Sequence, residues 1–206
     1  EQRAAIYEAK VSTFAALHNV DWKKAGLEGF GKEGDYIARQ IHRWTKQFQM
    51  SETTKIPEMD KLIDWLPKNI PPGETTTIVH GDYRIDNMIL HPTEPKVIAV
   101  LDWELSTLGD PLADFTYHLM SWVMPSSDPQ RPSIAGVANQ PGYGIPNKDQ
   151  YVARYCELTG RKSLPALDFY FSYNAFRLAG ILQGIVGRVR DGTASNAAAA
   201  QNEGRV

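Results

Sequence analysis

The sequence predicts an α/β (α+β) fold, mostly helical, with a small β insert near its middle. Three observations predict it. Apolar residues recur at helical spacing on both sides of a central stretch, over 2–66 and again from 111 onward. Between 75 and 101, three short runs are β-branched or aliphatic and bounded by turn residues. The polar residues suited to chemistry cluster on those runs, not on the helices. A length of 206 residues with 42% hydrophobic side chains is enough for a real core and excludes wholesale disorder.

The first helix is predicted over 2–18, where Ile6, Ala9, Phe14, Leu17 and His18 fall near one face. A loop from Asn19 to Gly34 leads to a second helix over 35–49, patterned by Ile37, Ile41, Trp44 and Phe48. Pro57 opens a third, with Met59, Leu62, Ile63 and Leu66 apolar, and Pro67 ends it. Thr75-Thr76-Thr77-Ile78-Val79 reads as a strand. Met88-Ile89-Leu90 and 97–101 read as two more, joined through His91-Pro92-Thr93-Glu94-Pro95 into a hairpin. Its two prolines set a loop longer than two residues. Asp110 can N-cap a helix whose first residue is Pro111 and which runs to about Met124. Residues 125–146 hold five prolines and read as a long surface loop. Asn147 caps a further helix that Gly160 ends, and 164–190 reads as one long apolar helix with a kink at Gly180. The domain is therefore expected over 1–190, with 191–206 a loosely ordered tail.

Composition narrows the function. Twenty-two basic against 24 acidic residues give no basic excess, which argues against a general nucleic-acid binder. No apolar run approaches the ~18 residues of a membrane span. The lone Cys156 can make neither an intrachain disulfide nor a cysteine zinc site; it fits the cytoplasm or another reducing compartment. Glu1-Gln2-Arg3 is no signal peptide and runs at once into an amphipathic pattern, so the chain is expected to begin inside a longer protein.

The segment His80-Gly81-Asp82-Tyr83-Arg84-Ile85-Asp86-Asn87 follows one strand and enters the next; Asp102-Trp103-Glu104 follows the hairpin. Phosphoryl transfer needs an Asp to orient and deprotonate a hydroxyl, and hard oxygen ligands to hold Mg²⁺ on phosphates. Kinase catalytic loops supply these as H-x-D-x-x-x-x-N, then an Asp past a following hairpin. The same elements stand here in the same order. Each short motif alone is weak; joined to Gly109-Asp110-Pro111-Leu112-Ala113-Asp114-Phe115, they are strong.

Over about residues 1–190 the chain resembles the C-terminal lobe of the aminoglycoside phosphotransferase and choline kinase family, whose fold is protein-kinase-like. The look is nearest to phosphotransferase-like domains related to those fused to acyl-CoA dehydrogenases, through stretches such as Arg39-Gln40-Ile41-His42-Arg43-Trp44 and Phe176-Arg177-Leu178-Ala179. The resemblance implies an ATP- and Mg²⁺-dependent phosphotransferase acting on a hydroxyl of a small molecule. It implies Asp82 as catalytic base, with Arg84 near it where kinases place a phosphate-contacting Lys. Asn87 and Asp102 become magnesium ligands, and Glu104 a helper near the metals or the acceptor. His80 shapes the loop, and Asp114 is a buried carboxylate that braces it. Asp86 either faces the acceptor or caps the loop.

The family also needs an N-terminal lobe, with a phosphate-covering loop and a strand Lys paired to a helix Glu. The sequence contains neither, so that lobe is expected in the parent protein. Gly29-Phe30-Gly31-Lys32-Glu33-Gly34 spells G-x-G-x-x-G, but no strand precedes it, so it reads as a surface loop. Two rival functions remain open. One is a non-catalytic kinase-like module binding nucleotide or a partner. The other is a metal-dependent hydrolase using His80, Asp82 and Asp102, weakened by the lack of a second histidine at ligand spacing. Trp103, Trp122, Tyr170, Tyr173, Phe176 and Arg177 could line an acceptor pocket, with aromatic core as the default reading.

Overall fold

A computed structural model describes residues 1–125, 133–138, 140 and 142–192. The chain divides into two compact units, Glu1–Gly34 with Thr75–Leu167, and Asp35–Glu74 with the segment from Asp168 onward.

The first unit opens with α1 (Gln2–His18), whose inward face carries Val11, Phe14, Ala15 and His18. Two antiparallel two-stranded sheets follow. Strand β1 (Thr77–Val79) pairs with β4 (Thr107–Gly109), Ile78 opposite Leu108. Strands β2 (Met88–Leu90) and β3 (Val97–Val100) form the hairpin, Met88 opposite Val100, with an irregularity after Ile89. Strand β4 is the element the sequence pattern did not announce: three residues carry too little alternation to be seen. Helix α4 (Pro111–Val123) starts where expected, with the Asp110 carboxylate accepting from the Leu112 and Ala113 N–H groups. One turn of helix, α5 (Ile134–Val137), lies within the stretch read as loop; 126–132, 139 and 141 are outside the described residues. Helix α6 (Lys148–Thr159) has a reciprocal Asn147–Gln150 capping box and stops at Gly160 with φ +67°.

Aromatic rings fill the space between α1, α4 and α6. Phe14 stacks on Tyr83 at 3.9 Å between centroids, and Phe115 on Tyr155 at 3.7 Å. A smaller cluster of Trp22, Ile78 and Leu108 closes the β1–β4 side. The glycine run of 29–34 belongs here and not to a phosphate loop. A Cβ on Gly31 would sit 2.6 Å from the Leu108 backbone nitrogen, so the glycine lets this loop lie directly against β4.

The second unit comprises α2 (Tyr36–Ser51), α3 (Pro57–Trp65) with a short 3₁₀ turn carrying Pro67, and α7 (Leu167–Arg190). Helix α7 runs from 167 to 190 as a single element. Gly180 faces the Trp44 ring, where a Cβ would make an ordinary contact at 3.5 Å. Gln183 Nε2 donates to the Ser51 carbonyl at 2.6 Å and to Thr53 Oγ1 at 2.9 Å. Tyr170, Tyr173, Phe176 and Arg177 are buried, as the default core reading expects. Asp191 and Gly192 form a turn; the rest of the tail, 193–206, is outside the described residues.

Candidate active site

The loop between β1 and β2 is built around Asp114, in the first turn of α4. Its carboxylate accepts from the His80 N–H at 2.6 Å and the Gly81 N–H at 2.9 Å. It also accepts from His18 Nε2 at 3.3 Å. A carboxylate only accepts, so His18 carries its proton on Nε2, and the Tyr155 hydroxyl donates to Nδ1 at 2.6 Å. Burial by itself would raise the Asp114 carboxyl; the hydrogen bonds from His18 and from the two backbone N–H groups outweigh it and hold the group below the ordinary Asp value.

His80 is fully buried and both its ring nitrogens are used. Nε2 donates to the Leu101 carbonyl at 2.9 Å, and Nδ1 accepts from the Asp82 N–H at 3.2 Å. The imidazole thus ties the loop to the far end of the hairpin. A metal on this ring would have to break one of those bonds, which weighs against the hydrolase alternative. Gly81 makes the turn: its φ is +85°, and a Cβ would lie 2.9 Å from Leu105 Cβ.

Asp82 is half-buried. Asn87 Nδ2 donates to its carbonyl at 2.9 Å and to its Oδ2 at 3.0 Å. That fixes the carboxylate and leaves Oδ1 toward other partners, while Asn87 keeps its own Oδ1. Tyr83, the next residue, is pinned from three sides. Its ring stacks on Phe14, its hydroxyl donates to the Lys10 carbonyl at 2.8 Å, and its carbonyl accepts from His118 Nδ1 at 2.8 Å. His118 Nε2 in turn accepts from the Tyr151 hydroxyl at 3.0 Å. Burial, with the Lys10 charge adding to it, pushes His118 well below the ordinary histidine range, so the ring is neutral.

The hairpin's ladder runs one pair beyond its strands, Leu101 N–H donating to the Asn87 carbonyl at 2.8 Å. This brings Asp102 beside Asn87 at one end of the hairpin. Asp102 is exposed and left-handed, φ 64° and ψ 56°, a conformation uncommon outside glycine but tolerated by Asp. A 3₁₀ turn follows, with Trp103 Nε1 donating to the Val100 carbonyl and its ring 4.8 Å from His80; Glu104 is exposed on that turn. Arg84 forks Asp86 through Nε at 2.9 Å and Nη2 at 2.5 Å, both side chains exposed, so Asp86 is engaged by its neighbour.

The structure therefore gathers His80, Asp82, Asn87 and Asp102 around one hairpin end and sets Asp114 behind them. Tyr83, Lys10, His18 and His118 are fixed positions of no motif of the sequence, yet all four brace the loop. The helical positions of the two histidines signalled burial, but only the fold shows that they hold the loop. Asn87 Oδ1 and the Asp102 carboxylate are hard oxygens suited to Mg²⁺, which takes one or two such side chains plus phosphates. Among the described residues no group of three or more His, Cys, Asp or Glu forms a closed metal cage. None of their helices is long and apolar enough to cross a membrane.

The model of the phosphotransferase enzyme family matches residues 1–145. Acyl-CoA dehydrogenase family member 10 of Mus musculus is 45% identical over 203 residues, covering 98% of this chain and 19% of that protein. The chain thus spans about a fifth of that curated relative. A solved structure from Ralstonia eutropha JMP134, named provisionally as an aminoglycoside phosphotransferase, is 51% identical with TM-score 0.92, covering 99% of this chain and 62% of its own. Choline kinase from Cryptosporidium parvum Iowa II shares the fold alone, with TM-score 0.57 and 13% identity over 99% of this chain and 63% of that one.

Proposed function

The chain belongs to the phosphotransferase enzyme family, and from that premise we propose that it transfers the γ-phosphoryl group of ATP to a hydroxyl of a small molecule, with Asp82 as catalytic base. The observation that carries this is the Asn87 clamp on Asp82, at 2.9 and 3.0 Å, beside the exposed Asp102.

Asn87 holds one carboxylate oxygen of Asp82 and leaves the other to accept a hydroxyl. That carboxylate aligns the acceptor oxygen for in-line attack and takes its proton as the oxygen–phosphorus bond forms. Asn87 and Asp102 would hold Mg²⁺ on the phosphates. The ion, when bound, supplies neutralisation of charge on the transferring group. Arg84 and Glu104 stand at the rim, and both serve orientation. Asp114 and His80 act through the loop: with the carboxylate ionised and both imidazole nitrogens engaged, four hydrogen bonds hold the backbone around Asp82.

The name of the mouse relative supports an acceptor class: it is an acyl-CoA dehydrogenase family member, and a hydroxylated acyl thioester is the hydroxyl compound nearest to that chemistry. The test is phosphoryl transfer from Mg²⁺-ATP to a panel of hydroxyacyl-CoA thioesters by the protein containing this chain. Asp82→Asn is expected to lower kcat at least 10³-fold with the Kd for Mg²⁺-ATP unchanged. Turnover that survives this substitution would contradict the assignment, and nucleotide binding without any turnover would favour the non-catalytic module.

A further inference from the structure

Lys10 is the most unusual charge in the first unit. It lies on α1 yet is 3% exposed. Among the described residues its ammonium makes no hydrogen bond and no ion pair; what it meets are two aromatic faces, Tyr7 at 4.8 Å and Trp122 at 5.7 Å. Rings stabilise a cation but do not replace a carboxylate, and a buried ammonium without an anion is costly. The carboxylate that acts on it is Asp86, and Asp86 is already forked by Arg84. A positive charge is therefore left over close to the catalytic loop. Lys10 also belongs to that loop mechanically, since its carbonyl accepts the hydroxyl of Tyr83, the residue after Asp82.

Its neighbours open on a cleft: Tyr7, one wall of the aromatic cage, and Val11, the residue after Lys10 in the chain, line about 500 Å³ of space together with Glu8, Tyr151 and Arg154. Burial holds the Lys10 amine down at about 8, so near neutral pH it is still mostly charged and poised to gain from an anion. The long, flexible stem of lysine lets the head reach a ligand without moving the helix.

We propose that Lys10 is the anion-recognising residue of the acceptor site, presenting its ammonium to a carboxylate or phosphate of the molecule whose hydroxyl is phosphorylated. This rests on the phosphotransfer reading above and deepens it: the acceptor is anionic. A polycationic acceptor would meet an unneutralised like charge.

The test is isothermal titration of the full chain with three probes: 3-hydroxybutyryl-CoA, free 3-hydroxybutyrate, and the uncharged N-acetylcysteamine thioester of the same acid. Wild type is expected to bind at least one anionic probe tenfold or more tighter than the neutral one. Lys10→Met should erase that preference, and Lys10→Arg should keep most of it. Loss confined to the CoA ester assigns a phosphate, and loss confined to the free acid assigns a carboxylate. Thermal unfolding of Lys10→Met controls for folding, and its Tm is expected to equal or exceed that of wild type. Unchanged affinities in Lys10→Met, or a wild type that binds no anionic probe, would overturn the proposal. Failure of the phosphotransfer reading is separate: it shows as absent turnover, whereas failure here shows as affinity indifferent to Lys10.

Discussion

At the scale of single residues, the loop depends on groups whose neighbours leave them one choice. Gly81 needs both a positive φ and an absent Cβ. Gly81→Ala is expected to cost about 2 kcal/mol, seen as a Tm lower by roughly 4–8 °C, with activity falling further because the His80 and Asp82 backbones move. Lys10 supplies a sharper test. Its folded value is about 8 against an unfolded value of 10.5, so between those two the unfolded chain binds more protons. Stability must then rise as pH goes from 8 toward 10.5, by at most about 1.4 kcal/mol per pH unit. Urea unfolding of wild type and Lys10→Met across that range checks it: the difference between them should shrink with pH, and a constant difference would refute the burial. Much of the candidate site was legible from residue types alone, because Asp82, Asn87 and Asp102 stand in a fixed order around a hairpin. Lys10 was not. A lysine on an amphipathic helix ordinarily keeps its head in water, and only the aromatic rings of Tyr7 and Trp122 reveal otherwise.

At the scale of elements, α4 carries the site from behind. Asp110 caps it and Asp114 reaches the loop from its first turn. Asp110→Ala removes a buried acceptor from two N–H groups and is expected to cost about 1–2 kcal/mol, with kcat falling as Asp114 loosens. One turn on, His118 is kept neutral by burial and the charge of Lys10. Its folded value lies below the unfolded 6.5, so its contribution is fully present above pH 6.5 and is lost as pH falls below it. Wild type should therefore lose stability between pH 6.5 and 5 more steeply than His118→Gln, as read from denaturant midpoints; parallel curves would contradict it. The α4 boundary was visible in sequence because Asp-Pro at a helix start is a local signal. Strand β4 was invisible because the strand it pairs with, β1, lies some thirty residues away, and three residues form no pattern of their own. The hairpin lay between these cases: both runs were visible, but the extra Asn87–Leu101 pair that sets Asp102 beside Asn87 is a matter of register.

At the scale of the whole molecule, the first unit holds every residue assigned to chemistry, and the second is a helical unit knit by Trp44, Gly180 and Gln183. The family model and the Ralstonia relative make the fold and the family membership firm. Beyond them stands the proposal that Asp102 holds a magnesium nucleotide. Thermal unfolding with and without Mg²⁺-ATP, beside Asp102→Ala, tests it most directly. A ligand at 100 times its Kd stabilises the folded state by about 2.7 kcal/mol. A Tm rise of roughly 5–10 °C is expected in wild type, abolished by chelating the metal and absent in Asp102→Ala. A rise of equal size in the variant, or one that persists without magnesium, would contradict it.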